Sequence, residues 1–123
     1  MAIVKLVPGD YQKQARNYQD PDYGRGEKIY DAALGIASEA GEVAHAVREL
    51  EAWEILGGAP AGTEKALEGV RRELILELGD VLWYAAEMCD ALGVEIGDVM
   101  AENIRKLERR WPNGYRRGEE GER

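Results

Sequence analysis

Cysteine and histidine are scarce in this chain, which has 123 residues and one of each. A single cysteine, Cys89, excludes an intrachain disulfide and a zinc cluster built on several thiolates, and we expect it to pack in the core. A single histidine, His45, leaves no Ser-His-Asp or Cys-His arrangement, and helical spacing places it opposite the apolar stripe of its helix. The sequence therefore argues against nucleophilic catalysis that depends on histidine.

Positive charge is also in deficit, because 16 Lys and Arg face 24 Asp and Glu, for a formal net charge of −8. A general nucleic-acid binder needs a basic surface, so this balance argues against that class of protein. It does not exclude a small anionic substrate, because a bound metal ion reverses the local sign of the charge.

Long apolar runs are missing as well. No segment approaches the roughly 20 apolar residues that a membrane-spanning helix needs. The first ten residues, MAIVKLVPGD, are too short for a signal peptide before the Pro-Gly turn. We therefore expect a cytoplasmic protein that has no membrane partner.

Helical periodicity dominates what is present. A hydrophobic fraction of 45% and a charged fraction of 33% fit a helix-rich globular domain, and no strand-like alternation stands out. We predict one helical domain over residues 1–115, followed by a disordered polar tail over 116–123. Four helices are expected, at about Asp10–Tyr18, Glu27–Ile55, Val70–Leu92 and Ile96–Arg110. The predicted fold class is therefore all-α, an antiparallel helical bundle.

The second long helix is apolar on nearly every side, as the stretch LILELGDVLWYAAEMCDAL shows. A helix of this kind lies at the centre of a bundle or is buried in an oligomer, so we do not expect a monomer. It is preceded by the loop GGAPAG at 57–62 and by a short turn that Thr63 would cap and Gly69 would interrupt.

Two pairs of acidic residues occupy equivalent places on the two long helices. Each pair is written acid-x-x-acid, as EAGE for Glu39 and Glu42 and as ELGD for Glu77 and Asp80. At about 100° per residue, each pair lies about 60° and 120° to one side of its apolar stripe. In both pairs a glycine precedes the second acid and leaves space beside the carboxylates.

Packing the two stripes together would bring the four carboxylates to one edge of the core. Without a cation they would repel one another and resist ionisation. All-oxygen ligands select magnesium, manganese or calcium over zinc or copper. The alternative is a solvated acidic face, which Glu73 and Glu87 would extend in either case.

The last helix carries Asn103, Lys106 and Arg110 on one stripe beside its apolar face. A fixed lysine and arginine on one face suit phosphate oxygens. The competing interpretation, which spacing alone slightly favours, is a basic helix end that offsets the helix dipole.

Three segments together resemble the MazG-like nucleoside triphosphate pyrophosphohydrolases, of the all-α NTP pyrophosphohydrolase superfamily. They are LGIASEAGEVAHAV (34–47), ELILELGDVLWYAAEM (73–88) and ENIRKLERRWPNGY (102–115), and YQKQA (11–15) extends the likeness. The resemblance implies magnesium-dependent hydrolysis of a nucleoside triphosphate to a monophosphate and pyrophosphate, with manganese as the alternative ion, in a homodimer or homotetramer.

Carried over by position, the resemblance implies roles for seven residues. The metal ligands at the catalytic centre would be Glu39, Glu42, Glu77 and Asp80, and the sugar or phosphate contacts would be Asn103, Lys106 and Arg110. Two departures stand out. The connection between the acidic motifs, around residues 53–69, is longer than is usual in the family. The stretch ARNY (15–18) stands where relatives often carry a threonine after the arginine.

The base-contacting residues are left open by the sequence, with Tyr11, Gln14, Tyr18 and Trp53 as candidates. Two rival classes are also considered. A carboxylate-bridged di-iron bundle would use Glu42 and His45, but it needs a second histidine. The other rival is a non-catalytic helical oligomer that binds a metal or a nucleotide.

Overall fold

The computed structural model describes residues 5–48, 63–118 and 120–121, except for the side chains of 63–67. In that part of the chain every regular element is a helix, which confirms the predicted all-α class. The elements are α1 (Pro8–Ala15), a 3₁₀ turn (Arg16–Tyr18), α2 (Arg25–Arg48), α3 (Thr63–Leu92) and α4 (Ile96–Arg110).

Three helix starts differ from the prediction, and that of α2 is two residues earlier, at Arg25 instead of Glu27. α1 begins at Pro8 because proline suits the first helical position, so Asp10 lies in the first turn beside the helix dipole rather than at the cap. α3 begins at Thr63 and runs through Gly69 without a break. One interior glycine costs a helix only about 1 kcal/mol, and a helix of this length absorbs that cost. Most of the predicted 53–69 connection lies outside the described residues.

The helices α2 and α3 form the main packed pair. Their contacts follow opposite orders along the chain, since Asp31 meets Glu87 near one end and Glu39 meets Glu77 farther along. Between these contacts the ring of Tyr84 lies directly against Gly35, where no other residue would leave room for it. The acidic pairs of the two helices are brought together by this register.

The interior of the described chain is built from small side chains. Its buried hydrophobic residues are Ala15, Ala32, Ala46, Ala86, Cys89, Ala91 and Ile96. The largest fully buried side chain is a carboxylic acid, that of Glu87. Large apolar side chains lie outside instead, including Leu76, which is 63% exposed, and Ile104, which is 54% exposed. A single copy of the chain thus leaves much of its apolar surface in contact with solvent.

The helix α1 is fastened to the end of α3 by a polar cluster around Asp90. The Asp90 carboxylate accepts hydrogen bonds from Gln12 Nε2 at 2.9 Å, Gln19 Nε2 at 2.7 Å and Arg16 at 2.8 and 3.1 Å. The indole N–H of Trp83 donates to the Ala15 carbonyl at 3.3 Å, which adds a second attachment point. Trp83 therefore packs against α1.

A glycine turn connects α3 to α4. Gly93 has a φ of +68°, and the amides of Gly93 and Val94 donate to the carbonyls of Asp90 and Cys89. This is the Schellman pattern, which a glycine in the left-handed region allows at low cost. The Ile96 amide then donates to Gln12 Oε1 at 2.7 Å, so α4 starts against α1.

The segment after α4 returns to the end of that helix. The rings of Trp111 and Tyr115 meet edge to face, with centroids 5.1 Å apart. A Cβ at Gly121 would lie 2.6 Å from Arg110 Cγ. The domain boundary at 115 and the disorder of the tail stay predictions. None of the described helices is both long enough and apolar enough to cross a membrane.

Candidate functional site

Three carboxylates from two helices converge at one point of the α2–α3 pair. Glu39 of α2 and Glu77 and Asp80 of α3 each offer an oxygen, and the three oxygens lie within 4.8 Å of one another. Glu42, one turn after Glu39, is exposed, and its charge acts on Glu77. The structure therefore brings the two acid-x-x-acid motifs to one edge of the helix pair.

The electrostatics of this cluster are those of crowded negative charge. The pKa of the Glu77 carboxyl is raised, first by partial loss of water and then by its hydrogen bond to Glu39 and the nearby charges of Asp80 and Glu42. Among the described residues, no lysine or arginine forms an ion pair with any of the four acids. A donor set made only of carboxylate oxygens suits a hard divalent cation, and this site fits one.

Space is open beside both acidic motifs. A Cβ placed on Gly41 or Gly79 would meet no atom within 4 Å. These glycines immediately precede Glu42 and Asp80, so the second acid of each pair is approachable from that side. The open volume agrees with the sequence-based expectation for these glycines.

Two tyrosines lie beside the carboxylates. The Tyr11 hydroxyl donates to the Gly79 carbonyl at 3.4 Å, and burial together with the Asp80 charge raises its pKa. The pKa of Tyr84 is also raised, by burial and then by the charges of Asp31, Glu39, Glu87 and Asp80. Tyr84 thus lies between the cluster and a second pair of acids, those of Asp31 and Glu87.

This second acidic pair joins α2 to α3, and of its two members Glu87 is buried and Asp31 half-buried. Glu87 is 1% exposed, and its Oε1 has no hydrogen-bond partner among the described residues. Burial, and then a hydrogen bond to the Asp31 carboxyl, raises the pKa of Glu87 to about 7. Two carboxyls this close share a proton rather than both ionising. Glu87 is therefore neither solvated nor part of the four-acid cluster.

The stripe of polar residues on α4 is exposed to solvent. Asn103, Lys106 and Arg110 are exposed, and in the described part of the chain no hydrogen bond or ion pair joins them to the acidic cluster. The Arg110 guanidinium instead lies 5.6 Å from the centroid of the Trp111 ring. A contact of these three side chains with a nucleotide at the four acids therefore stays a prediction.

The candidate residues for base contact differ in their positions, and among those that the structure describes one contacts α3 beside the acids. Tyr11 lies beside the acidic cluster, whereas Gln14 and Tyr18 are exposed and Trp53 lies outside the described residues. His45 is exposed on α2, as its spacing predicts.

Sequence reasoning missed Tyr84 and Asp31. A signal for Tyr84 exists in its spacing, because it follows Glu77 and Asp80 by seven and four residues and so shares their side of the helix. Asp31 gives no comparable signal, since its partner lies on another helix and their meeting depends on register.

Comparison with known proteins places this sequence in a family. The model of the MazG nucleotide pyrophosphohydrolase domain matches residues 30–115. The uncharacterized protein YvdC of Bacillus subtilis (strain 168) is 40% identical over 76 residues, which cover 62% of this chain and 69% of that protein. The gene 37 protein of Mycobacterium phage L5 is 30% identical over 97 residues, 75% of this chain and 74% of that protein. No solved structure gives a significant match.

Proposed function

Because the chain belongs to the MazG nucleotide pyrophosphohydrolase family, we propose that it hydrolyses nucleoside triphosphates to nucleoside monophosphates and pyrophosphate. The reaction would serve nucleotide-pool house-cleaning in the cytoplasm. The observation that carries the proposal is the meeting of Glu39, Glu77 and Asp80 within 4.8 Å, with Glu42 beside them.

The four acids are the proposed ligands of magnesium, with manganese as the alternative ion. Bound there, the ion supplies positive charge against the triphosphate oxygens, which the negative cluster alone would repel. The site is acidic in a chain of net charge −8, so a triphosphate cannot approach it without that compensation.

The chain's own residues then have three tasks. The carboxylates of Glu39, Glu42, Glu77 and Asp80 hold the ion, and one of them orients the attacking water and accepts its proton. The anhydride bond between the α- and β-phosphates breaks, and pyrophosphate leaves. The open side of Gly41 and Gly79 gives the phosphates room beside the second acid of each pair.

Asn103, Lys106 and Arg110 are the proposed contacts to the sugar and phosphates. Since no hydrogen bond or ion pair among the described residues joins them to the acids of the same copy, we propose that they act in an assembly of two or four copies. The apolar surface left exposed on α3 and α4 supports such an assembly, because contiguous exposed apolar area marks a contact surface.

The test is pyrophosphate release from a panel of ribo- and deoxyribonucleoside triphosphates, with magnesium and with EDTA. We expect release together with the matching monophosphate, and only when magnesium is present. Glu42→Gln and Asp80→Asn should abolish it while leaving the helical circular dichroism unchanged. The matched control is Glu73→Gln on α3, which should retain activity.

Absence of release across the whole panel, from folded protein with magnesium, would contradict the proposal. Magnesium-dependent nucleotide binding without release would instead support the non-catalytic alternative. Colour and bound iron in the purified protein would point to the di-iron alternative.

A further inference from the structure

A cavity of about 560 Å³ opens between α1, the start of α2 and the turn that follows α3. Its charged lining residues are Lys13, Arg16, Lys28, Asp90 and Glu95. This volume is in the range of pockets that hold small organic ligands. Nothing in the proposed chemistry at the four-acid cluster uses these residues.

The cavity is separate from the four-acid cluster, none of whose members is among its lining residues. Asp90 follows Asp80 by ten residues on α3, which is about 15 Å along the helix axis and about 80° around it. Three cations gather at this cavity in a chain whose net charge is −8. A ligand held here would therefore be a second one, in addition to a nucleotide at the acids.

Arg16 is held in position at the cavity and still has donors to spare. Its Nε and Nη2 groups donate to the two carboxylate oxygens of Asp90 at 3.1 and 2.8 Å. A guanidinium has five N–H donors, so three of them are left for another acceptor. The Arg16 side chain is 56% exposed and that of Asp90 8% exposed, so a buried carboxylate orients a guanidinium that reaches solvent. An anion can bind such an arginine at a reduced cost in side-chain entropy.

The two acids of the lining leave room for an anion. The Asp90 carboxylate accepts four hydrogen bonds, from the side chains of Gln12, Gln19 and Arg16. Its charge is thus compensated by these donors. Glu95 is exposed, so water and salt screen its charge.

Two lysines add further donors to the same cavity. Lys28 Nζ donates to Gln19 Oε1 at 3.2 Å, which leaves two of its three N–H donors. Lys13 is exposed and precedes Arg16 by three residues, so the two lie on the same side of the chain turn. Among the described residues, neither lysine forms an ion pair with an acid. Three cations with unused donors therefore line one cavity.

A phosphate group matches this donor set better than a carboxylate does. Its three free oxygens carry up to about two negative charges, and each can accept from a different cation. A carboxylate has one charge and two oxygens, which a single arginine fork already satisfies. Donors on three separate side chains are thus suited to a phosphate.

We propose that this cavity binds the phosphate group of a small phosphorylated molecule through Arg16, Lys13 and Lys28, as a second ligand site of the chain. The volume exceeds what one phosphate fills, so the cavity also has room for the organic part of such a molecule. The inference does not depend on the proposed hydrolysis.

The test is calorimetric titration of the full chain with inorganic phosphate and with glycerol 3-phosphate. The buffer is free of divalent metal, so the four acids repel both compounds, and sodium chloride holds the ionic strength constant. We expect one molecule to bind per chain at millimolar concentration or below. Tighter binding of glycerol 3-phosphate would support the site with a phosphate ester as its ligand, and tighter binding of inorganic phosphate would support it with the free ion.

Two lysine variants and one matched control locate the binding. Lys28→Gln removes a half-buried cation and should weaken phosphate binding about 10-fold, as expected for one hydrogen bond from a charged group. Lys13→Gln removes an exposed cation and should weaken it about 2- to 5-fold. Arg71→Gln removes the same charge about 28 Å along α3 from Asp90 and should leave the affinity unchanged.

Lys13→Gln also keeps the test decisive if Lys28→Gln does not fold, because Lys13 is on the surface. No binding of either compound at millimolar concentration would overturn the inference, as would unchanged affinity in the lysine variants. Equal weakening in Arg71→Gln would show diffuse attraction to positive charge and overturn the site. Acetate that binds as tightly as phosphate would overturn the assignment to a phosphate group.

Discussion

The ring of Tyr84 lies so close to Gly35 that a Cβ at position 35 would overlap three of its atoms. We expect Gly35→Ala to lower the free energy of unfolding by about 1–2 kcal/mol, because overpacking outweighs the gain in helix propensity. Gly41→Ala, on the same helix with open space around it, should instead raise stability by about 0.5–1 kcal/mol. Urea denaturation of both variants measures this, and two shifts of the same sign would contradict the packing argument.

Glu87 makes stability depend on pH. Its pKa is about 7 in the folded chain against an ordinary value of 4.5, so the folded state binds the proton more tightly. The free energy of unfolding should therefore fall as pH rises from about 4.5 to 7, by up to about 3 kcal/mol, and then level off.

Glu87→Gln isolates that effect, because the amide keeps the shape of the side chain and does not titrate. We expect a flatter pH profile of urea stability for this variant and a higher stability than wild type at pH 8. Parallel profiles for the two proteins would show that Glu87 does not carry the buried proton.

Asp90 secures α1 through three partners. Burial alone would raise its pKa, but the hydrogen bonds from Arg16, Gln12 and Gln19 outweigh this and lower it. Stability from this group is thus present above the ordinary carboxyl pKa and lost as pH falls through the lowered value. Asp90→Ala should cost about 1–3 kcal/mol, because it leaves the buried side chains of Gln12 and Gln19 without their acceptor.

The control for Asp90 is an ion pair on the surface. Glu68 and Arg71 lie 3.5 Å apart with more than half of each side chain exposed. Glu68→Ala should change the free energy of unfolding by less than about 1 kcal/mol. Similar losses for Asp90→Ala and Glu68→Ala in thermal and urea denaturation would contradict the central role of Asp90.

Magnesium should raise the melting temperature by relieving repulsion among the four acids. At a hundredfold excess over Kd, a ligand that binds only the folded state adds about 2.7 kcal/mol. Glu77→Gln should melt higher than wild type in EDTA and gain less from magnesium, because one charge is gone. Glu73→Gln should keep the full magnesium shift, and equal shifts in both variants would remove Glu77 from the site.

The exposed apolar face of α4 predicts self-association. Ile104→Asp places a charge on that face, and we expect it to reduce the mass measured by light scattering toward that of one chain. Arg105→Asp places an acid on the opposite, polar side of α4 and should leave the mass unchanged. A wild-type protein of monomer mass would contradict the assembly.

Sequence periodicity predicted some elements better than others. The bounds of α4 were predicted correctly, Ile96–Arg110, because its apolar stripe is regular and Pro112 marks its end. The start of α3 was missed because Gly69 and Thr63 look like a break locally, whereas a long packed helix tolerates one glycine. The position of a helix end thus depends on small differences between the cost of a residue such as glycine and the stabilisation from packing.

The residues of the candidate site were likewise predicted only in part. The two acid-x-x-acid motifs could be matched because both acids of each motif lie on one helix, where their spacing determines the side of the helix on which they lie. Two other contacts depend on the register in which α2 packs against α3. They are the pair formed by Asp31 and Glu87 and the contact of Tyr84 with Gly35. No periodicity within one segment encodes that register.

The indole of Trp83, bonded to the Ala15 carbonyl, provides an optical reporter for the attachment of α1. The chain has three tryptophans, and replacing Trp53 and Trp111 by phenylalanine would leave Trp83 as the sole emitter. Release of α1 would expose this ring to water and shift its fluorescence to longer wavelength. Stopped-flow mixing with nucleotide could then follow, in real time, whether the N-terminal helix lifts during a catalytic cycle.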